Sequence, residues 1–390
     1  MASHVAKSVF KVSRNSSTVK FDTARRALSV GAAAQQKKTL PDRTGKNVVL
    51  VDGVRTPFLV SFTDYAKMMP HELARHSLLL VSYVCSPVSH YIQSTDLIRL
   101  NVRVELSSDK FGPASEKISF QLPSVSEFSS GETMGHSADR LAAAFGASRQ
   151  EQDEYALRSH TLAAQAQQKG YFTDVMPIKV DGKDGVVEKD NGIRVSTPEQ
   201  LAKLKPAFIK PQGTVTAANA SFLTDGASAC VIMSEAKAKE LGLKPKAYLR
   251  DFTYVAQDPV DQLLLGPAYG IPKILDKSGL TLKDINVWEI HEAFAGQILA
   301  NLKALDSDWF AQNYLKRQSK VGTPDMAKWN TWGGSLSIGH PFAATGVRLA
   351  MHTAHRLVRE DGQFGLISAC AAGGQGVAMI LERHPDAKAN

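Results

Sequence analysis

Residues 285–299 read INVWEIHEAFAGQIL: a short apolar run, a turn with polar side chains, and a helical pattern. Apolar runs of this length that end in a turn, such as Ile285–Ile290, are typical of buried strands. The run Phe364–Ala369 follows the same rule and enters the turn CAAGGQG. From Gly213 to Arg383 such runs alternate with helical patterns through short links, which predicts a layered α/β fold. Open α/β sheets place active sites at strand ends, so both turns are candidates for chemistry.

The first half of the chain is less regular. Its pattern predicts a buried strand over residues 47–52 and a helix over 70–78. A longer helical stretch is predicted over 137–169 and a charged surface loop over 173–213. Residues 81–121 differ, because they contain two prolines, a polar stretch and one alternating run over 98–106. That run predicts a strand with one face in solvent.

The composition is that of a globular protein. Of the 390 residues, 43% are hydrophobic and 22% are charged. No window approaches the 18 or so apolar residues that a membrane span requires. The three cysteines are scattered, which argues against a disulfide framework and favours a reducing compartment.

The net charge of +8 is concentrated at the start of the chain. Residues 1–38 carry eight basic side chains and one acidic side chain on a background of Ser and Ala. This pattern predicts a mitochondrial transit peptide, and the alternative is a basic tail that binds nucleic acid or acidic surfaces. The rest of the chain is nearly neutral, so it offers no basic excess for binding nucleic acid.

Three turns carry candidate catalytic side chains. His291 follows the predicted strand 285–290 and is predicted to open a helix, although a histidine there is more often a structural hydrogen-bonding residue. His340 lies between Gly339 and Pro341 and precedes a long predicted helix, in which Gly346 is expected to permit close packing. Such a histidine suits removal of a thiol proton, and the helix N-terminus favours the anion that forms.

Cys370 is the third candidate, since the small residues that follow it leave backbone N–H groups available to an oxyanion. The alternative for this thiol is a buried cysteine packed as a small hydrophobe. His352 and His355 are three residues apart on a predicted helix, and we interpret them as a packed or solvated face rather than as metal ligands. No nucleotide-binding glycine fingerprint follows a predicted strand.

The motifs HEAF, GGSLSIGHPFAATG and CAAGGQG, in this order near the C-terminus, resemble those of the thiolase family. The upstream segments GTVTAANASFLTDGASA and ETMGHSADRLA are also similar to thiolase segments. The resemblance implies a fold of two similar βαβαβαββ halves with a loop domain inserted in the first. The implied organisation begins with a transit peptide over residues 1–38. An N-terminal half over 47–235 follows, in which residues 81–121 are divergent and residues 122–213 form the loop domain. A C-terminal half covers residues 245–390.

The resemblance also implies thiolysis of 3-ketoacyl-CoA, with coenzyme A as a substrate and no permanently bound cofactor. His340 matches the histidine that activates the nucleophile, and Cys370 matches the thiol that shuttles a proton at the α-carbon. His291 stands where the family usually has Asn in an oxyanion hole, and the N–H of Ala372 falls at an oxyanion-hole position. The positions implied to line the acyl and pantetheine site are Met134, Ala217, Ser221 and Phe294.

Several expectations about the setting of the enzyme follow from the same resemblance. It implies a homodimer, an α-subunit partner, and a place in the mitochondrial matrix with peripheral association with the inner membrane. One small departure from the motif is Ala343, where the family usually has Gly.

The large departure is residues 81–121, where the family carries its nucleophilic cysteine. Cys85 is followed by SPVSHY, with no helix of small residues, so we do not expect Cys85 to be the nucleophile. The first half is therefore expected to be incomplete, as in an alternatively spliced or misassembled product. Two alternatives are a non-catalytic partner of the α subunit and a condensing enzyme of the ketoacyl-synthase type that uses His291 and His340.

Overall fold

The computed structural model describes residues 38–40, 45–84 and 125–388. The chain divides into two units, residues 1–42 and residues 43–390. Only residues 38–40 of the first unit are described, so the transit-peptide prediction lies outside the described part. Within the described ranges, no helix has both the length and the apolar character needed to cross a membrane.

The second unit contains a six-stranded mixed sheet and a small two-stranded one. The strands in chain order are β1 Val48–Arg55, β2 Leu59–Val60, β3 Thr224–Asp225, β4 Ser228–Ser234, β5 Ala247–Ala256, β6 Ile285–Ile290, β7 Phe364–Ala371 and β8 Gln375–Arg383. The large sheet has the order β4-β1-β5-β8-β7-β6, and β2 pairs with β3. Strands β6 and β7 run parallel, whereas the other neighbours are antiparallel.

Helices cover both faces of the large sheet. They are α1 Pro70–Val84, α2 Met134–Ala144, α3 Arg149–Gln168, α4 Pro198–Ala202, α5 Glu235–Glu240, α6 Gly266–Ser278, α7 Ala295–Leu305, α8 Asp308–Asn313, α9 Ser335–Ile338 and α10 Thr345–Arg359. A Cβ on Gly365 of β7 would meet Thr353 of α10, and Ser368 of the same strand lies against Gly270 of α6. Residues 365 and 368 point to opposite faces of a strand, so α6 and α10 enclose the sheet.

Most of the predicted elements are present with shifted ends. The strand Ile285–Ile290 is found as predicted, the strand that begins at Phe364 continues to Ala371, and the helix that begins at Pro70 continues to Val84. The helical stretch predicted over 137–169 is present as two helices, α2 and α3. Gly146 has a φ of +58°, and Ser148 caps α3 by accepting the backbone N–H of Glu151.

The two halves contribute unequally to the large sheet. Four of its strands, β5 to β8, follow residue 245, whereas only β1 and β4 precede it among the described residues. The two groups meet where β1 pairs with β5, through Val49 and Leu50 alone. Cys85 and the strand predicted over 98–106 lie outside the described residues.

Candidate active site

The parallel strands β6 and β7 bring the HEAF and CAAGGQG turns to the same edge of the sheet. The backbone N–H of His291 donates to the carbonyl of Ser368, two residues before Cys370, at 2.9 Å. The helix after His291 begins only at Ala295, so the prediction that His291 opens a helix is corrected. His291 instead lies in the connecting turn, and its side chain is almost fully buried.

His340 reaches the same place from the loop between α9 and α10. Gly339 precedes it with a φ of +105°, and a Cβ there would lie 2.7 Å from Thr224. The backbone N–H of His340 donates to the hydroxyl of Thr224 at 2.9 Å. These contacts position the imidazole, whose centroid lies 4.1 Å from that of His291. The two histidines, predicted from separate motifs, therefore form one pair.

Each histidine of the pair has a hydroxyl at Nδ1. Ser335 Oγ lies 2.9 Å from Nδ1 of His291, and Thr345 Oγ1 lies 2.6 Å from Nδ1 of His340. The Nε2 atom of each ring is therefore the nitrogen left for a reacting group.

Both imidazoles are held neutral at physiological pH. Burial lowers the pKa of His340 to about 3, and the charge of Arg348 acts in the same direction. Burial, the neighbouring His340 and Arg348 lower the pKa of His291 well below its usual value. A neutral imidazole can accept a proton at one nitrogen and donate one at the other.

Cys370 lies in an apolar environment on the face of the sheet that α6 covers. It shares a buried cluster with Phe294, Leu265 and Ala268. Burial raises the pKa of its thiol to about 12. The thiol is therefore protonated at neutral pH and can act as an acid rather than as a thiolate nucleophile.

The turn after Cys370 is held by the carboxylate of Glu127, which no sequence motif indicated. Gly373 and Gly374 both have a positive φ, and the N–H of Gly373 donates to Oε2 of Glu127 at 2.6 Å. Glu127 is fully buried. Burial raises its pKa, but the hydrogen bonds from Gly373 and Ser129 outweigh burial and make the pKa lower than usual. Ala372, the predicted oxyanion-hole residue, is exposed in this turn.

Three of the four predicted lining residues, Met134, Ser221 and Phe294, contact either the HEAF turn or the apolar cluster that contains Cys370. Met134 packs against the apolar cluster that contains Phe294 and Cys370. The N–H of Ser221 donates to the carbonyl of Ala293 at 2.9 Å, beside a bridge between Ala220 and Phe294. Ala217 lies on an exposed part of the same segment, where its carbonyl accepts from Arg194.

Several other predictions can be placed in the structure. Gly346 is exposed, and a Cβ there would meet nothing within 4 Å, so the expectation that it permits close packing is wrong. His352 is fully buried and stacks on Phe172, and His355 lies 3.6 Å from Asp52. Among the described residues there is no group of three or more His, Cys, Asp or Glu that fits a metal ion.

Sequence reasoning missed four residues that support the site, namely Glu127, Ser335, Thr345 and Arg348. Ser335 and Thr345 lie within the motif GGSLSIGHPFAATG. Their hydroxyl side chains, close to His340 in the sequence, are the signal that could have identified them. Glu127 is 246 residues from its partner Gly373, and nothing local in its sequence indicates that contact.

Two family models match the chain. The model described as "Thiolase, N-terminal domain" matches residues 97–236, and "Thiolase, C-terminal domain" matches residues 243–383. The first match begins inside the stretch 81–121, which the motifs alone left unmatched.

Curated relatives cover nearly the whole chain. "Trifunctional enzyme subunit beta, mitochondrial" of Bos taurus is 51% identical and covers 92% of this chain and 93% of the relative. "Probable 3-ketoacyl-CoA thiolase" of Caenorhabditis elegans is 49% identical and covers 93% and 98%, respectively.

Solved structures share the architecture. The Bacillus anthracis acetyl-CoA acetyltransferase has a TM-score of 0.73 at 30% identity. Human mitochondrial 3-ketoacyl-CoA thiolase has a TM-score of 0.69 at 26% identity. Each alignment covers 87% of this chain and 99% of the solved chain.

The alignment with the cattle relative is longer than this chain. The alignment spans 443 positions, and 92% of the 390 residues of this chain is about 359 residues. About 84 positions of the alignment (443 − 359) are therefore gaps in this chain. The relative therefore contains a substantial amount of internal sequence that this chain lacks.

Proposed function

The chain belongs to the thiolase family, and from this premise we infer that it is an acetyl-CoA C-acyltransferase of mitochondrial fatty-acid β-oxidation. The reaction cleaves 3-ketoacyl-CoA with CoA, giving acetyl-CoA and an acyl-CoA shortened by two carbons. The observation that carries this inference is the pairing of His291 with His340 at the sheet edge where the strand of Cys370 ends. Coenzyme A enters as a substrate, and no permanently bound cofactor is required.

Each residue of the site has a step that suits its chemistry. His340, neutral and held at Nδ1, takes the proton of an attacking thiol through Nε2. The thiolate bonds to the 3-keto carbon, and His291 together with the N–H of Ala372 supplies donors to the oxyanions that form during the reaction.

The bond between the α and β carbons of the substrate then breaks. The electron pair stays on the α-carbon, which takes the proton of Cys370 to give acetyl-CoA. The raised pKa of this thiol, about 12, suits proton donation to a carbanion. A second thiol, that of CoA, displaces the shortened acyl group from the enzyme.

We further propose that Met134, Ala217, Ser221 and Phe294 line the acyl and pantetheine site. The contact of Met134 and Phe294 with the cluster around Cys370 supports this role. The proposed organisation remains a loop domain over 122–213 within an N-terminal half 47–235, followed by a C-terminal half 245–390.

The nucleophile is unassigned, and this favours a second candidate function. The described cysteines are Cys230 and Cys370, and burial raises the pKa of both thiols, to about 11 and about 12. Cys230 packs with Leu349 and Met351 on the other face of the sheet from Cys370. Together with the positions missing relative to the cattle protein, this supports an inactive chain that serves as a structural partner of the trifunctional α subunit.

Thiolysis of a 3-ketoacyl-CoA by the purified full chain distinguishes the two candidates. For an active enzyme we expect His340→Asn to lower turnover by about 10²–10⁴-fold, because the general base is lost. The control is His71→Asn, which changes an exposed histidine on α1 and should leave turnover unchanged.

A folded chain without turnover would reject the first candidate and favour the second. In that case the chain should still co-purify with the α subunit. If turnover is present, iodoacetamide labelling of the acyl-protected and unprotected enzyme identifies the nucleophile, including Cys85.

We also propose that the chain works in the mitochondrion, with residues 1–38 as its transit peptide. The mitochondrial names of the relatives and the basic Ser/Ala-rich N-terminal segment support this location. Homodimer formation, binding of the trifunctional α subunit and peripheral contact with the inner membrane are part of the same proposal. Fractionation of mitochondria followed by a salt wash tests the membrane contact.

A further inference from the structure

We propose that Ser335 and Thr345 are positioning residues that hold His291 and His340 in opposite tautomers, so that one ring offers a proton and the other accepts one. The proposal rests on the proposed function for its catalytic meaning, whereas the tautomers follow from hydrogen-bond geometry alone. A hydroxyl has a single proton, so the second partner of each hydroxyl decides how it faces its histidine.

Thr345 faces His340 as an acceptor. Its Oγ1 lies 3.1 Å from the carbonyl of Pro341, which also accepts the backbone N–H groups of Ala344 and Thr345, and in our proposal the hydroxyl donates its proton to this carbonyl. The same oxygen lies 2.6 Å from Nδ1 of His340 and must accept at that contact. His340 therefore carries its proton on Nδ1, and its Nε2 presents a lone pair.

Ser335 faces His291 as a donor. Its Oγ lies 3.0 Å from Nη2 of Arg348, and a guanidinium can only donate. The hydroxyl proton is then available for Nδ1 of His291 at 2.9 Å, since the described residues provide no other acceptor for it. His291 is consequently protonated on Nε2, which presents an N–H.

The buried side chain of Arg348 is positioned to donate to the hydroxyl of Ser335. The side chain is fully buried, and the guanidinium donates to Ser335, whereas Nε has no hydrogen-bond partner among the described residues. Nη1 lies 3.5 Å from the carboxylate of Glu289, which is held in turn by Arg356 at 2.7 Å. Buried polar atoms without partners are costly and are retained mainly where they serve a function.

Opposite tautomers give the pair two complementary roles. The Nε2 lone pair of His340 can remove the proton of a thiol, and the Nε2–H of His291 can donate to a carbonyl oxygen that gains negative charge. If both rings carried the same tautomer, the site would have either two bases or two donors. Ser335 and Thr345 thus set which histidine performs which step through their hydrogen bonds to Nδ1.

Nitrogen-detected imidazole NMR of the full chain, labelled with ¹⁵N-histidine, tests the proposal. The variants His291→Gln and His340→Gln assign the two rings by loss of their signals. We expect a protonated Nδ1 in His340 and a protonated Nε2 in His291. In Thr345→Val the proton of His340 should redistribute to Nε2, and Thr345→Ser should restore it.

In Ser335→Ala the proton of His291 should redistribute from Nε2 to Nδ1, and Ser335→Thr should restore the native tautomer. Ser337→Ala is the matched control, since this hydroxyl belongs to the same short helix but bonds Ser159 and Gly334. Identical tautomers in the native protein, or an unchanged His291 in Ser335→Ala, would overturn the proposal. If a variant does not fold, the native spectrum alone decides. The NMR spectrum reports the tautomers whether or not the chain has thiolase activity. Failure of the tautomer proposal and failure of the proposed function can therefore be told apart.

Discussion

Gly339 shows at the scale of one residue how a backbone conformation places a catalytic side chain. Its φ of +105° lies in a region that residues other than glycine rarely adopt, and an added Cβ would lie 2.7 Å from both the hydroxyl and the methyl group of Thr224. The same Thr224 accepts the N–H of the following residue, His340. A glycine at this position therefore permits both the turn and the hydrogen bond that fixes His340.

We expect Gly339→Ala to lower the free energy of unfolding by about 1–3 kcal/mol or more, because it adds backbone strain and a close contact. Activity should fall as well, since His340 is displaced. Urea denaturation and the thiolysis assay measure the two effects.

Gly346→Ala is the matched control for this change. Gly346 lies seven residues further along, in the first turn of α10, where a methyl group meets nothing within 4 Å. Alanine there should leave the protein unchanged or stabilise it by up to about 1 kcal/mol. Equal effects of the two substitutions would contradict this account of Gly339.

At the scale of one element, the turn between β7 and β8 depends on a residue far away in the sequence. The carboxylate of Glu127 accepts the N–H of Gly373 and the N–H and hydroxyl of Ser129. Since Gly373 follows the proposed oxyanion donor Ala372 directly, Glu127 fixes the orientation of that part of the turn.

Glu127→Gln should destabilise the protein by about 1–3 kcal/mol, because a buried hydrogen bond to a charged group is lost and an amide donor faces Gly373. Exchange of the Gly373 amide hydrogen should accelerate in the same variant. The comparison variant is Glu188→Gln, at an exposed position, for which we expect no change in either measurement. Unaltered exchange at Gly373 in Glu127→Gln would show that the turn does not rely on this contact.

At the scale of the whole molecule, buried histidines make the fold sensitive to acid. Burial lowers the pKa of His160 to about 4 and that of His340 to about 3, and it also lowers the pKa of His352. In the unfolded chain these groups take up protons near pH 6.5, whereas in the folded chain they do not. The contribution of these histidines to the free energy of unfolding is therefore fully present above pH 6.5 and is lost as the pH falls below that value.

The free energy of unfolding should decrease between pH 6.5 and pH 5 by up to about 1.4 kcal/mol per pH unit for each of His160 and His340. His352→Phe removes one of these groups and keeps a ring against Phe172, so the pH dependence of its free energy of unfolding should be shallower. His71→Asn at an exposed position serves for comparison. A His352→Phe curve parallel to that of the native protein would argue against the linkage.

Sequence reasoning recovered the parts of the molecule that depend on neighbouring residues. The strand 285–290 and the turns that carry His291 and Cys370 are encoded by short apolar runs and small residues, so their place at strand ends could be predicted. The contact between the rings of His291 and His340 needed the folded chain, because it joins two motifs through the packing of α9, α10 and β3. Glu127 and Arg348 could not be selected, since a charged residue in a sequence does not reveal that its partner is a distant amide or a buried hydroxyl.

The bond between Glu127 and Gly373 has a consequence for how the chain tolerates changes in length. Glu127 stands shortly after the stretch 81–121, and its carboxylate accepts the N–H of Gly373 in the turn beside Cys370. We therefore expect a change in chain length upstream of Glu127 to leave the orientation of this turn unaltered wherever the hydrogen bond is kept.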